Sequence, residues 1–175
     1  MRFPQALLLL SFIGFGASND SWEPRLEKND ERPALNAMQG KPAPPLAVTN
    51  WVNSKPLALA DLKGKVVVLE FWGTWCTTCL ALVPHHNELA KKYADKGLVF
   101  IGVCDRKGSE KMAQIAKDHG IKYPIAVDLN DATADAYKCD STPDFYLIDR
   151  EGRLRWANIE TEDVDRAIEL LLSQK

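Results

Sequence analysis

An apolar run from Val66 to Trp72, broken only by Glu70, stops four residues before the pair Cys76-Thr77-Thr78-Cys79. Val66-Val67-Val68-Leu69 supplies the β-branched residues of a strand buried on both faces, which is how an inner strand of a parallel sheet reads. Beyond the cysteines the period changes. Leu82, His86, Leu89 and Tyr93 recur at helical spacing, so a helix is predicted over 76–93, with Pro84 kinking it and Gly97 ending it. A strand feeding a helix through so short a turn places both cysteines in the helix's first turn. There the unpaired backbone N–H groups and the helix dipole favour a thiolate on the first sulfur, while the second lies about one turn further in. A free thiol ionises near pH 8.5 and such a helix-terminal one near 7, which raises the reactive fraction at neutral pH from about 3% to about half. A bridge over two intervening residues restrains little of the unfolded chain, so the pair is expected to exchange rather than to staple.

The rest of the chain extends this unit into an α/β domain. Leu98 to Val103 is a second apolar strand, and strand-helix-strand order implies a parallel crossover. Ser109 opens a helix with Met112, Ile115, Ala116 and His119 on one face and Gly120 as its stop. Tyr123 to Val127 reads as a short strand and Asp131 to Tyr137 as a short helix. Phe145 to Ile148 and Leu154 to Ile159 flank Asp149-Arg150-Glu151-Gly152, a hairpin loop, so an antiparallel edge joins a parallel core. Thr161 begins a last helix whose stripe is Val164, Ala167, Ile168, Leu171 and Leu172. The expected architecture is a central mixed sheet flanked by helices.

Arg2, an apolar block from Ala6 to Phe15 and the small residues Gly16-Ala17-Ser18 read as a secretory signal peptide over 1–18. The block is about ten residues, well short of the ~20 that span a bilayer; left uncleaved, it would act as an N-terminal membrane anchor. Export is therefore expected, and about 155 residues remain, enough for one domain with a substantial core. Residues 19–39 are polar, with Pro24 and Pro33 and little periodicity, and read as a flexible lead-in or linker to a domain over 40–175. The net charge of −2, or −3 without Arg2, offers no basic field for nucleic acid.

Two further cysteines, Cys104 after the second strand and Cys139 before Pro143, lie where parallel strands bring their ends together. An oxidising compartment permits a second disulfide or a thiol relay between them, and equally two separate buried thiols. His85 and His86 share a helix with the reactive pair. Tetrahedral zinc needs four well-placed ligands, and this spacing matches no familiar set, so no metal is expected.

Leu59-Ala60-Asp61-Leu62-Lys63-Gly64-Lys65, Glu70-Phe71-Trp72-Gly73-Thr74-Trp75-Cys76-Thr77-Thr78-Cys79, Pro84 and Ser141-Thr142-Pro143-Asp144-Phe145-Tyr146-Leu147-Ile148-Asp149 together resemble the thioredoxin superfamily, and within it the exported TlpA-like or ResA-like thiol-disulfide oxidoreductases. The likeness spans about Gly40 to Ser173. It implies a thioredoxin-like fold in which Leu98 to Cys139 is a strand-helix insert, a redox-active disulfide with Cys76 attacking and Cys79 resolving, and a cis peptide before Pro143 beside the sulfurs. It also implies that Glu70, buried and with a carboxyl pKa raised by desolvation, accepts the Cys79 proton. Trp75, Thr77, Thr78 and Thr142 would border the bound polypeptide. The implied partners are protein disulfides or dithiols and a membrane-bound or exported thiol-disulfide electron donor; the implied state is a monomer that needs no cofactor. Leu82 stands where ResA-like proteins often carry a glutamate, which puts the substrates tied to that residue in doubt.

Two competing functions share this fold. A thiol peroxidase of the peroxiredoxin type places threonine or serine three residues before its reactive cysteine, where this chain has Gly73. A non-enzymatic binding module would use the groove beside Pro143 and would not need both cysteines.

Overall fold

The computed structural model describes residues 22–174, so the signal peptide read over 1–18 lies outside the described residues. Six strands form one mixed sheet: β1 (Val48–Val52), β2 (Val66–Trp72), β3 (Leu98–Cys104), β4 (Ile125–Asp128), β5 (Asp144–Ile148) and β6 (Leu154–Ile159). Their spatial order is β1-β4-β3-β2-β5-β6. β2, β3 and β4 are parallel; β5 runs antiparallel to β2, β6 to β5, and β1 to β4. The expected thioredoxin-like α/β fold is present, and the antiparallel β5–β6 edge stands where the hairpin signal put it.

Alternation along the strands sorts the core into two layers. Val66, Val68 and Trp72 of β2 face one side with Phe100 and Cys104 of β3; Val67, Leu69 and Phe71 face the other with Ile101 and Val103. The first side is covered by α2 (Thr77–Tyr93), α3 (Met112–His119) and α5 (Val164–Ser173), the second by α1 (Arg32–Met38) and α4 (Ala132–Tyr137). α2 continues across Pro84, and the residues it buries are Cys79, Val83, His86, Leu89 and Tyr93. Val83 rather than Leu82 therefore completes the buried stripe. Gly120 ends α3 in a left-handed conformation, with φ of 69°, and its N–H caps the Lys117 carbonyl.

Residues 22–39 do not form the loose lead-in that their polarity suggested. Pro33 sits in the first turn of α1, where a missing N–H costs nothing, and Leu35 of that helix is fully buried against the second layer. Leu26 forms a bridge with Ile159 and Pro42 with Arg153, so the segment extends the β6 side of the sheet. The Arg32 guanidinium donates to the carbonyls of Ala157 and Asn158 at 2.9 and 3.0 Å. These contacts are with residues more than a hundred positions away, a source of order that local periodicity cannot reveal. β1 was also missed, because Asn50 adopts φ of 52° and its pairing with β4 shifts register between Thr49 and Val52.

Candidate active site

β2 and β3 end together at one edge of the sheet, and α2 begins there. Gly73 to Trp75 form the turn, closed by the Cys76 N–H donating to the Gly73 carbonyl at 3.0 Å. The Thr74 hydroxyl donates to the Gly108 carbonyl at 3.0 Å and ties this turn to the loop after β3. Gly108 has φ of 78°, and a Cβ there would stand 2.6 Å from Thr74 Oγ1, so this contact requires glycine.

Cys76 occupies the N-cap of α2, where its sulfur accepts the Cys79 N–H at 3.1 Å. The two cysteines are joined in a disulfide across the first turn. In the dithiol form, that N–H and the dipole of a 17-residue helix bear directly on Cys76 and favour its thiolate. Cys79 sits deeper, 1% exposed against 5% for Cys76. Facing them is the loop between α4 and β5. The Thr142 carbonyl oxygen stands 3.8 Å from Cys76 Sγ, and the Thr142–Pro143 peptide is cis. Behind it Asp144 is fully buried, accepting from the Ser141 hydroxyl and, at 3.4 Å, from the Asp140 N–H; burial pushes its carboxyl above the usual range.

Thr77 and Thr78 are exposed beside the disulfide. Trp75 is half exposed, with the Lys107 ammonium 5.5 Å from its ring centre, whereas Trp72 lies in the core. A cavity of about 310 Å³ opens next to Trp75 and Thr142, with Phe71 and Val103 in its apolar lining and Asp105 and Asp135 among its charged groups. The exposed Trp75 face, the cavity and the Thr142 backbone make a half-apolar groove on the Thr142 side of Cys76.

Glu70 and Trp72 project on the α2 side of the sheet. Glu70 is 1% exposed; His86 of α2 stands with Nδ1 3.1 Å from its Oε2, and the Tyr123 hydroxyl donates to the same oxygen at 3.1 Å. Burial, together with the neighbouring carboxylate, pushes the Tyr123 hydroxyl far above its ordinary value. The two histidines thus turn to different carboxylates, since His85 is exposed with Nε2 2.8 Å from Asp165. His86 and Tyr123 as partners of Glu70 were missed. The usable signal was one polar residue in an apolar helical stripe facing one acid in an apolar strand.

The second disulfide does not form. Cys104 and Cys139 are both free thiols. Cys104 lies in the layer under α2, Cys139 packs against the opposite layer, and the sheet separates them. Burial pushes the Cys104 thiol up to about 12, and burial with Asp144 raises that of Cys139 further. Closeness in the strand order could not reveal that they face opposite ways.

The sequence profile of the AhpC/TSA family matches residues 39–157, from the docked N-terminal segment to β6. The chain belongs to that family. This AhpC/TSA-family protein is 31% identical over 172 residues to the thiol-disulfide oxidoreductase ResA of Geobacillus kaustophilus, an alignment covering 97% of the chain and 93% of that relative. It is 36% identical over 115 residues to the ResA of Bacillus thuringiensis strain Al Hakam, covering 66% of each protein, so it spans just under two thirds of that relative. Among solved structures it is similar to a thiol-disulfide isomerase from Corynebacterium glutamicum, at 28% identity and a TM-score of 0.66, over 76% of the chain and 98% of that structure. The thioredoxin-like fold and the Cys-x-x-Cys disulfide are consistent with thiol-disulfide redox chemistry.

Proposed function

We propose that this protein is an exported thiol-disulfide oxidoreductase that reduces disulfides in other proteins. The observation that carries the reading is the Cys76–Cys79 disulfide at the head of α2, with the Cys76 sulfur 3.8 Å from the Thr142 carbonyl beside the groove. Cys76 attacks a substrate disulfide as the thiolate and Cys79 resolves the mixed disulfide, releasing the second substrate thiol. Glu70, enclosed on the α2 side of β2, accepts the Cys79 proton. Pro143 and Thr142 present backbone to an extended substrate, while Trp75, Thr77 and Thr78 border it. An exported or membrane-bound dithiol donor recharges the pair. The names of the ResA relatives support the chemistry, and the apolar N-terminal block supports export.

The peroxidase alternative lacks its motif, because Gly73 stands where it requires threonine or serine. A side chain at Gly73 would stand 2.8 Å from the Trp75 ring, so the required threonine or serine would displace it. The deciding experiment uses Cys79→Ser, which blocks resolution while Cys76 still attacks. A trapped mixed disulfide with exported proteins is expected, and its absence both in cells and with model disulfides overturns the proposal. Equilibration with dithiol buffers fixes the direction: a potential near −270 mV marks a reductant, one near −120 mV an oxidant.

A further inference from the structure

Two turns along α2 from Cys79, about 10 Å down the helix axis, the buried face of the helix carries an ionisable ring. His86 is 2% exposed, tilted against Phe100 at 4.8 Å and edge-on to Phe145 at 5.5 Å, in surroundings that a phenylalanine or leucine would fill without further need. Its Nδ1 instead meets Glu70 Oε2 at 3.1 Å. Tyr123 occupies that same oxygen, and the other carboxylate oxygen, Oε1, is buried with no hydrogen-bond partner among the described residues. A carboxylate enclosed in this way is unfavourable unless it is paired or takes up a proton. An imidazole on one oxygen does both. It donates to the carboxylate while neutral, and a second proton on its other nitrogen makes it a cation.

Resting on the proton-accepting role proposed for Glu70, we propose that His86 is a positioning residue for the resolving step, and that the Glu70–His86 pair, not Glu70 alone, is the unit that accepts the Cys79 proton. In the mixed disulfide the Cys79 thiol loses its proton to this unit, directly or through water. The Cys79 Sγ–Cys76 Sγ bond forms as the bond from Cys76 Sγ to the substrate sulfur breaks. The substrate leaves as a thiolate and takes a proton from water, two electrons having passed from the enzyme dithiol to the substrate disulfide. The unit returns its proton to solvent before the next reduction.

Few other groups share this layer. Tyr123, before β4, and Cys104, at the end of β3, are held protonated by burial, the latter up to about 12. Lys117, Asp118 and His119 of α3 are exposed. From α5, Asp165 engages the exposed His85 and Glu169 engages Tyr93. Asp144 of β5 lies in register with Phe71, on the opposite face from Glu70. The pair is therefore the ionisable contact buried behind the active-site thiols in this layer.

The test is stopped-flow reaction of the reduced protein with 5,5′-dithiobis(2-nitrobenzoate) from pH 6 to 9. The first thionitrobenzoate reports attack by Cys76, and the second reports resolution by Cys79. His86→Gln, which keeps a donor to Glu70 but cannot be protonated, should slow the second phase about tenfold at pH 7, converge on wild type by pH 9, and leave the first phase within twofold. His86→Leu should do the same, while Tyr123→Phe should leave the profile's midpoint in place. A wild-type profile in His86→Gln overturns the proposal and leaves His86 a hydrogen-bond donor only. Glu70→Gln separates the two readings: if it too is unchanged, the underlying role of Glu70 fails; if it alone is slow, only the part played by His86 fails. Should the variants not fold, the His86 ring resonances of the wild-type protein decide. A shift between oxidised and reduced forms that tracks pH is expected, and resonances indifferent to redox state overturn the proposal.

Discussion

The two faces of the sheet are built from alternate residues of the same strands, yet they bury different chemistry. Under α2 lie the disulfide, the Cys104 thiol and the Glu70–His86–Tyr123 network. Under α1 and α4 the centre is aromatic and aliphatic, with the Phe71, Tyr137 and Tyr146 rings 5.3 to 5.7 Å apart and Leu35 in the same cluster. Buried polar groups on that side hold backbone. Asp128 accepts the Thr133 and Ala134 N–H groups at the head of α4, and the Tyr137 hydroxyl donates to the Pro44 carbonyl. One face therefore sets an acid against an imidazole and a phenol, while on the other Asp128 and Tyr137 hold the loops around α4. Glu70 meets an imidazole, whereas Asp128 meets two backbone N–H donors.

Substitutions can break or sharpen this contrast. Cys76→Ser should abolish disulfide exchange altogether while leaving a folded protein, as read by insulin reduction and circular dichroism. On the opposite face, Leu35→Ala should cost about 3 kcal/mol of stability by urea titration, with the Cys76/Cys79 reduction potential unchanged. A Leu35→Ala protein of wild-type stability would mean that the N-terminal segment contributes nothing to the fold. Asp128→Ala strands two N–H donors and should cost about 1–2 kcal/mol, again without moving the potential. The smallest effect belongs to Glu27, which burial, reinforced by Asp144, Glu160 and Asp140, raises to about 7 from 4.5. The folded state keeps a proton that the unfolded chain loses, so this contribution falls away as pH rises between those values. Glu27→Gln should flatten stability across that window, by under about 1 kcal/mol because the group is only partly covered.

Much of the site was legible because its signals are local. The apolar strand, the cysteine pair, the proline loop and the hairpin each declare themselves within about ten residues. The failures share the opposite character. α1 is short, its covered face rests on one leucine, and its order comes from β6, far along the chain. β1 is an irregular edge strand whose register shifts beside a left-handed Asn50. Cys104 and Cys139 were placed correctly at the ends of their segments but not by face. His86 was noted for a metal site that the spacing disfavoured, and its partner proved to be the acid across the layer.

The sequence by itself determined that a buried strand would deliver Cys76 to the head of a helix, because hydrophobic period and helix-terminal electrostatics act over neighbouring residues. Tertiary structure alone decided which groups share an interior. Alternation sends adjacent residues to opposite faces of a strand, so Glu70 meets His86 and Tyr123 while Phe71, one residue on, meets Tyr137 and Tyr146. Only the packing of distant elements makes those encounters, and they determine whether a buried group is a scaffold or can hold a proton.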